Sequence, residues 1–417
     1  MTQRNVLRPR GRASPAALAG VVAPPMRMGT GATMGIATVG LSAAARVLLA
    51  DALILGPEVW DQVLSRSGAA SPFLTWAWHR ACAEALPADA AANCRAVVLR
   101  GATGDVEAVF PFRVQRAHPW GVPVTELGWA FGDLGSPDHL DLLASPKADL
   151  DALVGALDRL PWGVIRLANL AEDGSNVDRF CEACDRHGWT VRRRPIRRCP
   201  YLELPESWDA YLSSLSSHGR HAIRRKERKL RREHHVALTD YGQERIEEGL
   251  RHLERLHAQR WDGGGALSDP VIQRLHSRFA ASLAERGQLW LVSLDLDGSP
   301  AAAWYGFTSG DTVYHYQSGR DPRWERDRVG TVLVSLMIRQ AIERGYRRLD
   351  FLRGDEAYKR EWTQTARQAY EIVVFRGGWH GSALRALESL ARTVRRWLGP
   401  RSRPILDRLR RWLPESR

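Results

Sequence analysis

The chain has 417 residues, of which 44% are hydrophobic and 26% are charged, enough to bury more core than one ordinary domain needs. These fractions are those of a folded protein, and they exclude a collagen-like chain, a disulfide scaffold and a mostly disordered chain. The net charge of +13 arises entirely from six arginines in residues 1–50 and from ten arginines and three acids after residue 379. The neutral body between these ends gives no reason to expect a DNA partner.

The sequence favours a cytoplasmic protein. Residues 1–45 lack both the continuous apolar run of a membrane span and the basic-then-apolar order of an export signal, so we expect a disordered basic extension there. The five cysteines suit a reducing compartment because they form an odd, sparse set without disulfide-framework spacing. They are Cys82, Cys94, Cys181, Cys184 and Cys199. Cys181 and Cys184 have metal-like spacing, but no second ligand pair accompanies them, so no metal is expected.

In the first half, hydrophobic periodicity predicts a strand, two helices and a hairpin, followed by a loop and alternating helices and strands. The hairpin strands are joined by Gly101–Asp105, whose glycines and aspartate favour a tight turn. The predicted elements are strand 47–55, helices 58–66 and 71–86, strands 94–100 and 106–114, loop 118–146, helix 148–160, strand 163–170, helix 176–187 and strand 189–194.

The second half repeats this order at coarse resolution. Its predicted elements are strand 201–204, a helical region at 208–233, helices 243–260 and 270–286, strands 289–296, 301–308 and 312–318, helix 330–344, strand 348–353, a short helix from 355 and strand 369–376. The repetition predicts a duplicated mixed α/β unit, each copy a mostly antiparallel sheet flanked by helices, with an exposed linker between Arg192 and Pro200.

The most informative stretch surrounds Gly330. A strand leads there into a glycine-containing turn that opens a helix, so free N–H groups and the positive helix end face whatever lies at Gly330. Such a cradle suits an anion, and a pyrophosphate would fit it. The next strand brings Asp350 and Arg353 to its C-terminal end, where α/β proteins tend to bind ligands.

A second cationic feature is the predicted helix over His218–Arg232, which carries eight lysines and arginines against Glu227. One interpretation is a solvated helix face. The other is a surface for a phosphate or an anionic acceptor, because Arg220, Arg224 and neighbours at helical spacing lie on one side.

These residues together resemble the CelD/BcsL-like acyltransferases of the GNAT superfamily, which are related to the Fem-type aminoacyltransferases of peptidoglycan synthesis. The resemblance covers roughly residues 47–376 and depends on the order of its pieces. The pieces are Pro72–Trp76, Phe110–Phe112, the basic helix before Val236–Leu238, the Gly330 turn with its helix, and Asp350–Lys359. The resemblance implies tandem GNAT-like domains at residues 46–195 and 196–379, with the second one catalytic.

Carried onto this sequence, the resemblance implies that the turn at Val329, Gly330, Thr331 and Val332 binds the pyrophosphate of an acyl-CoA. It also implies that Tyr358 and Lys359 match the aromatic–lysine pair of Fem-like enzymes, whose lysine stabilises the oxyanion as an amine attacks an acyl carbonyl. The turn departs from the superfamily pattern in two places. Asp327 stands where Gln or Arg is usual, and Val332 stands where a second Gly or Ala is common.

An attacking amine must lose a proton, so a base is expected near the acyl group. The candidates are Asp350, Asp355 and His315, although Asp350 could instead support the strand end and His315 could be an ordinary buried histidine. The residues expected to contact the acceptor are His315, Tyr316, Arg353, Asp355 and Arg224.

Residues 380–417 are predicted to form a basic amphipathic helical tail. Leu384, Leu387, Leu390, Ala391, Val394, Trp397 and Leu398 form one stripe, and Gly399–Pro400 ends that helix before a second basic apolar segment. The pattern is typical of helices on a membrane surface, here the inner face, and equally of a helical pair docked on its own domain or on a second subunit.

The sequence therefore predicts an acyltransferase that moves an acetyl or other acyl group from acyl-CoA to an amine or hydroxyl of a small molecule, a sugar or a polysaccharide precursor. One alternative keeps the fold and uses aminoacyl-tRNA as the donor, with phosphates on the basic helix. The other is a non-catalytic, membrane-peripheral accessory protein of polysaccharide biosynthesis.

Overall fold

The structure is a computed structural model that describes residues 37–41, 45–51, 53–120, 122–260 and 265–398. The strands are β1 Ala37–Leu41, β2 Ala45–Asp51, β3 Cys94–Arg100, β4 Val106–Ala117, β5 Val124–Trp129, β6 Leu143–Ala144, β7 Val164–Leu170, β8 Thr190–Glu203, β9 Val236–Asp240, β10 Leu289–Leu296, β11 Ser299–Ser309, β12 Thr312–Arg320, β13 Arg348–Asp350 and β14 Ala366–Phe375.

The helices flank this sheet. They are α1 Gly56–Ser67, α2 Trp76–Ala85, α3 Ala88–Ala92, α4 Leu150–Asp158, α5 Ser175–Arg186, α6 Trp208–Ser214, α7 Ser217–Glu233, α8 Ile246–Arg260, α9 Pro270–Glu285, α10 Val329–Glu343 and α11 Gly378–Leu398. Short 3-10 helices occupy Pro72–Leu74, Ala266–Ser268, Pro322–Asp327 and Lys359–Glu361.

The strands form one mixed sheet in the order β1-β2-β3-β4-β5-β7-β14-β8-β13-β12-β11-β10-β9, and β6 pairs with β4 off this path. Pairing is antiparallel throughout the named strands except for the parallel pairs β5–β7 and β12–β13. The predicted fold class, a mixed and mostly antiparallel α/β arrangement flanked by helices, is confirmed.

Strand β8 continues across the predicted domain boundary. The segment predicted to be an exposed linker is part of this 14-residue strand, which pairs with β14 through Thr190–Pro200 and with β13 through Tyr201–Glu203. The last strand of the second half, β14, thereby lies between β7 and β8 of the first half. The linker prediction was wrong because the arginine-rich sequence looked solvated, whereas its backbone is paired with β14 along the whole segment.

Buried charges accompany this insertion of β14. Glu371 of β14 is 6% exposed, and its Oε2 accepts hydrogen bonds from Arg194 of β8 at 2.6 Å and Arg166 of β7 at 3.2 Å. Arg166 also donates to Glu126 of β5 at 2.9 Å. Opposite charges therefore connect four neighbouring strands, which offsets the cost of removing each charge from water.

The hydrophobic core likewise spans the two halves. Phe73, in the 3-10 helix before α2, lies edge-on to Phe307 of β11 with ring centroids 5.7 Å apart, and Trp78 of α2 contacts Phe279 of α9 at 5.0 Å. A second cluster packs α10 and α7 against the other part of the sheet. The predicted domain boundaries remain a prediction, but the packing couples the two parts.

Most predicted elements are present with shifted ends. Two predictions of irregular structure were wrong, because residues 37–41 of the predicted extension form β1 and the predicted loop 118–146 contains β5 and β6. Two predicted helices also differ. The helix predicted from Ser71 begins as a 3-10 turn, and the region 208–233 is split into α6 and α7. Residues 1–36 and 399–417, including the second tail helix, lie outside the described residues. Within the described residues, no helix combines the length and apolarity needed to cross a bilayer.

The shared core predicts that the two halves unfold together. We expect Ile372→Ala to lower the free energy of unfolding by about 3 kcal/mol, because the side chain is fully buried in β14. Guanidinium titration followed by circular dichroism should show one transition for both proteins. The control is Ile54→Ala at a 52% exposed position, expected to change stability by less than about 0.5 kcal/mol. Two separated transitions would contradict the coupling.

Candidate active site between strands β12 and β13

The site begins at an opening in the sheet between β12 and β13. Their parallel pairing covers only Thr312–Tyr314 against Arg348–Asp350, whereas β12 continues to Arg320 along β11. The β11–β12 register shifts between Tyr305 and Gly306 and leaves Tyr316 as the extra residue of a bulge. Because a bulge bends its strand, β12 turns away where its pairing with β13 stops.

Helix α10 begins beside this opening. Asp321 caps the 3-10 helix Pro322–Asp327, and Arg328 then takes a left-handed conformation, φ 54°, that turns the chain into α10. The body of α10 is apolar and buried, so packing fixes its position. Helix geometry leaves the N–H groups of Val329, Gly330 and Thr331 without an acceptor in a preceding turn, and the positive end of the helix dipole lies there.

A cavity of about 120 Å³ lies between the end of β12 and the start of α10. Its lining combines the α10 N-terminus, the last residues of β12, four large aromatic side chains and two arginines. The lining residues are Trp304, Ser318, Gly319, Arg320, Trp324, Glu325, Arg328, Val329, Gly330, Thr331, Leu333, Val334, Tyr358, Glu361 and Trp362. A groove that combines cations, helix N–H groups and aromatic rings suits a ligand with phosphates and an apolar arm.

Helix α7 neutralises acidic residues at the edge of the cavity. Lys229 Nζ donates to Asp327 at 2.8 Å, and Lys226 lies 3.9 Å from Glu361. The unusual acid before the turn, Asp327, is therefore paired with a lysine of the basic helix. Arg320 is 2.9 Å from Glu325, and Arg328 is exposed at the cavity.

Four of the predicted site residues line this cavity, namely Val329, Gly330, Thr331 and Tyr358. Val332, Arg224 and Asp355 are not among the lining residues. Val332 is buried on the inner face of α10. Arg224 is exposed and lies 3.7 Å from Asp209, and Asp355 is exposed and lies 3.1 Å from Arg360. Sequence reasoning missed Arg320, Arg328, Trp304 and Glu361, which are far apart in sequence or look like ordinary surface and core residues.

Lys359 is buried, and its ammonium group contacts the turn that follows β13. Its Nζ donates to the carbonyl of Arg353 at 2.6 Å and lies 3.0 Å from the carboxylate of Glu356. In this turn Leu352 adopts a φ of 54°, a conformation that non-glycine residues rarely take. The structure thus holds Lys359 against the backbone, beside the wall formed by Tyr358, and its catalytic role remains a prediction.

Asp350 and Arg353 contact a loop of the first half. Asp138, which is fully buried, accepts hydrogen bonds from the Arg353 backbone N–H at 2.9 Å and from its guanidinium at 3.0 Å. His139 Nε2 lies 3.0 Å from Asp350 Oδ2, and both side chains are buried. Asp350 Oδ1 also accepts the N–H of Leu352 at 2.7 Å. These two ion pairs join the loop 135–140 to the end of β13.

The aromatic residues of β12 divide between two faces, as predicted. His315 stacks on Trp304 with ring centroids 3.9 Å apart, beneath the cavity wall. On the other face, the hydroxyl of Tyr316 donates to the carbonyl of Gly135, and Tyr314 donates to Ala70 at 2.9 Å. The loop 135–140 therefore contacts both β12 and the segment after β13.

Comparison with known proteins identifies the type of domain. Residues 217–360 match the family described as acetyltransferase (GNAT) domain. The fold is similar to that of FemX, with a TM-score of 0.52 and 10% identity, over 76% of this chain and 95% of that one. A conserved protein of unknown function from Bacteroides thetaiotaomicron gives a TM-score of 0.50 and 12% identity, over 77% and 98%. A comparison with curated proteins finds no match.

Residues 217–360 thus match a GNAT-type acetyltransferase domain, within a fold similar to that of FemX, and the prediction of an acyltransferase enzyme is confirmed at this level. Acyltransferases of this type use an acyl-CoA co-substrate, which the cavity chemistry fits. Among the described residues, no three His, Cys, Asp or Glu side chains are grouped closely enough to hold a metal ion.

The His139–Asp350 pair predicts a pH-dependent stability. Burial lowers the pKa of His139, but the carboxylates of Asp350 and Asp138 outweigh burial and raise it above its usual value. Folding therefore favours protonated His139, and this contribution is complete below about pH 6.5 and is lost as the pH rises through the raised pKa. We expect the difference in unfolding free energy between wild type and His139→Asn to shrink as the pH rises through this raised pKa.

The measurement is guanidinium unfolding at a series of pH values. Asparagine suits the left-handed backbone of His139, φ 54°, so the variant removes the charge without forcing a new conformation. The exposed His221 of α7 provides the control, His221→Asn, which should follow the wild-type profile. A difference for His139→Asn that does not change with pH would contradict the ion-pair assignment.

Lys359→Met separates a structural role from a catalytic one. We expect it to lower the free energy of unfolding by about 2 kcal/mol, because buried carbonyls of the turn lose their charged donor. Lys147→Met, at an exposed lysine in the loop before α4, controls for loss of a lysine charge. A Lys359→Met protein with wild-type stability and no turnover would show instead that Lys359 acts on the substrate.

Proposed function

We propose that the protein transfers an acetyl group from acetyl-CoA to an amine or hydroxyl of a small molecule, a sugar or a polysaccharide precursor, as a CelD/BcsL-like enzyme. One observation carries the proposal: the N-terminus of α10 and the arginines at positions 320 and 328 line the same cavity as the end of β12, beyond its pairing with β13. The pyrophosphate would lie at Val329, Gly330 and Thr331, where N–H groups and positive charge coincide.

The acyl group would then extend along β12 toward the aromatic part of the cavity. Strand backbone beyond Tyr314 can hydrogen-bond an extended amide-containing arm, much as an added strand does. Trp304, Tyr358 and Trp362 would exclude water around the thioester. Excluding water strengthens the electrostatic interactions that stabilise the oxyanion.

In the reaction, the acceptor nitrogen or oxygen attacks the thioester carbon, the C–S bond breaks, and the thiolate of CoA takes a proton. Tyr358 is the lining residue suited to supply that proton, because a phenol is a far stronger acid than the alcohol hydroxyls of Ser318 and Thr331. We assign acceptance of the acceptor's proton to a carboxylate near the cavity. Glu361 lines it, whereas Asp350 is engaged by His139.

The test is isothermal titration of acetyl-CoA into the full chain. Gly330→Leu should weaken binding at least about tenfold, because the longer side chain enters the cavity where the pyrophosphate would lie. The matched control is Gly330→Ala, since an added Cβ meets only the Arg320 Cδ at 3.6 Å and should leave most of the affinity.

A charge pair sharpens this test. Arg328 lines the cavity, whereas Arg326 is exposed in the preceding 3-10 helix and does not. Arg328→Asn should weaken acetyl-CoA binding, and Arg326→Asn should not. If the wild-type protein binds no acyl-CoA, or if both substitutions act equally, the proposed donor site is wrong.

A second candidate donor is aminoacyl-tRNA, favoured by the outward face of α7. Arg224, Arg225, Arg228, Arg231 and Arg232 are all exposed there, next to the cavity wall formed by α10. Binding of tRNA that falls steeply with salt, without acetyl-CoA binding, would favour this donor. A cytoplasmic location at the inner membrane face belongs to both proposals, and a non-catalytic accessory role is expected only if neither donor binds.

A further inference from the structure

Helix α11 presents a row of large apolar side chains to solvent. Trp379 is 78% exposed, Leu390 62% and Trp397 85%. The exposed Ala383 and Ala386 lie between Trp379 and Leu390 along the helix. These five positions are separated by three, four or seven residues, so all of them lie within about 40° of Trp379 around the helix axis. This outer face, defined by Trp379, Ala383, Ala386, Leu390 and Trp397, is about 27 Å long at 1.5 Å per residue.

The opposite face fixes the helix to the sheet. Leu384 packs with Val124 of β5, Val164 of β7 and side chains of β14, and Glu388 is 3% exposed. Arg192 of β8 donates to the Glu388 carboxylate at 2.8 Å. The stripe predicted from sequence is therefore divided, because Leu384 faces the protein whereas Leu390 and Trp397 face outward. The outer face is held in a fixed orientation without a partner on it in the described residues.

Helix α11 and the residues that follow it carry a net positive charge. Glu388 is the single acid in residues 378–398, and its carboxylate is turned inward and paired with arginines. The same stretch contains Arg385, Arg392, Arg395 and Arg396. Beyond it, residues 399–417 add six arginines against two acids. A partner that accepts tryptophan and leucine side chains at its surface and carries negative charge matches both features.

We propose that the outer face of α11 docks on the surface of an anionic lipid bilayer. Tryptophan and leucine side chains insert at the boundary between headgroups and acyl chains, while arginines attract anionic headgroups. A second copy of the chain fits less well, because pairing two outer faces would bring together two helices that both carry a net positive charge. The helix lies flat on the bilayer, since its inner face stays bound to the sheet.

The experiment is co-sedimentation of the full chain with vesicles of phosphatidylcholine alone or mixed two to one with phosphatidylglycerol. We expect binding to the mixed vesicles that weakens with salt. The triple substitution Trp379→Ser, Leu390→Ser and Trp397→Ser should reduce it by about tenfold or more, because the inserted apolar area is lost. All three positions are exposed, so the variant keeps the fold, and circular dichroism checks this.

Ile54→Ser, at another exposed apolar position, is the control and should bind like the wild type. Residues 399–417 are retained in every variant, so their own lipid affinity does not change between samples. Equal binding by the triple variant, or equal binding to neutral and anionic vesicles, would overturn the proposal. A wild-type dimer that the triple variant abolishes, with no vesicle binding, would also overturn it and assign the face to a second copy.

Discussion

The site depends on the point at which β12 and β13 stop pairing. Three residue pairs hold the two strands parallel, and beyond them the bulge at Tyr316 turns β12 away while the chain after Asp350 follows β8. Beyond this separation, the end of β12, the N-terminus of α10 and residues 358–362 surround the cavity. Without the separation the sheet would be continuous, and the N-terminus of α10 would face a closed strand edge with no room for a thioester.

The first half of the chain supports this separation from the other side. The loop at residues 135–140 contacts β12 through the hydroxyl of Tyr316 and the segment after β13 through Arg353 and Asp350. Ser136, His139 and Leu352 adopt positive φ angles there, each costing on the order of 1 kcal/mol, and the buried ion pairs offset that cost. With β14 inserted between β7 and β8, the first half acts as part of the scaffold of the site.

Much of this architecture could be predicted because its signals are local. The apolar helix after Gly330 and the strand before it are visible as periodicity, which was enough to place Val329, Gly330 and Thr331 at a cavity. The ion pair between Asp138 and Arg353 could not be predicted, since its partners are 215 residues apart and lie in irregular segments. The direction in which the Lys359 side chain points depends on the 3-10 helix Lys359–Glu361. Residue propensities do not predict so short a helix.

The central claim is that the cavity at the α10 N-terminus binds an acyl-CoA. The most direct measurement is a crystal structure of the full chain grown with CoA. We expect the pyrophosphate at the N–H groups of Val329, Gly330 and Thr331, with the thiol directed along β12 toward Tyr358. A CoA bound elsewhere on the chain, or a pyrophosphate away from α10 with the cavity unchanged, would contradict the central claim.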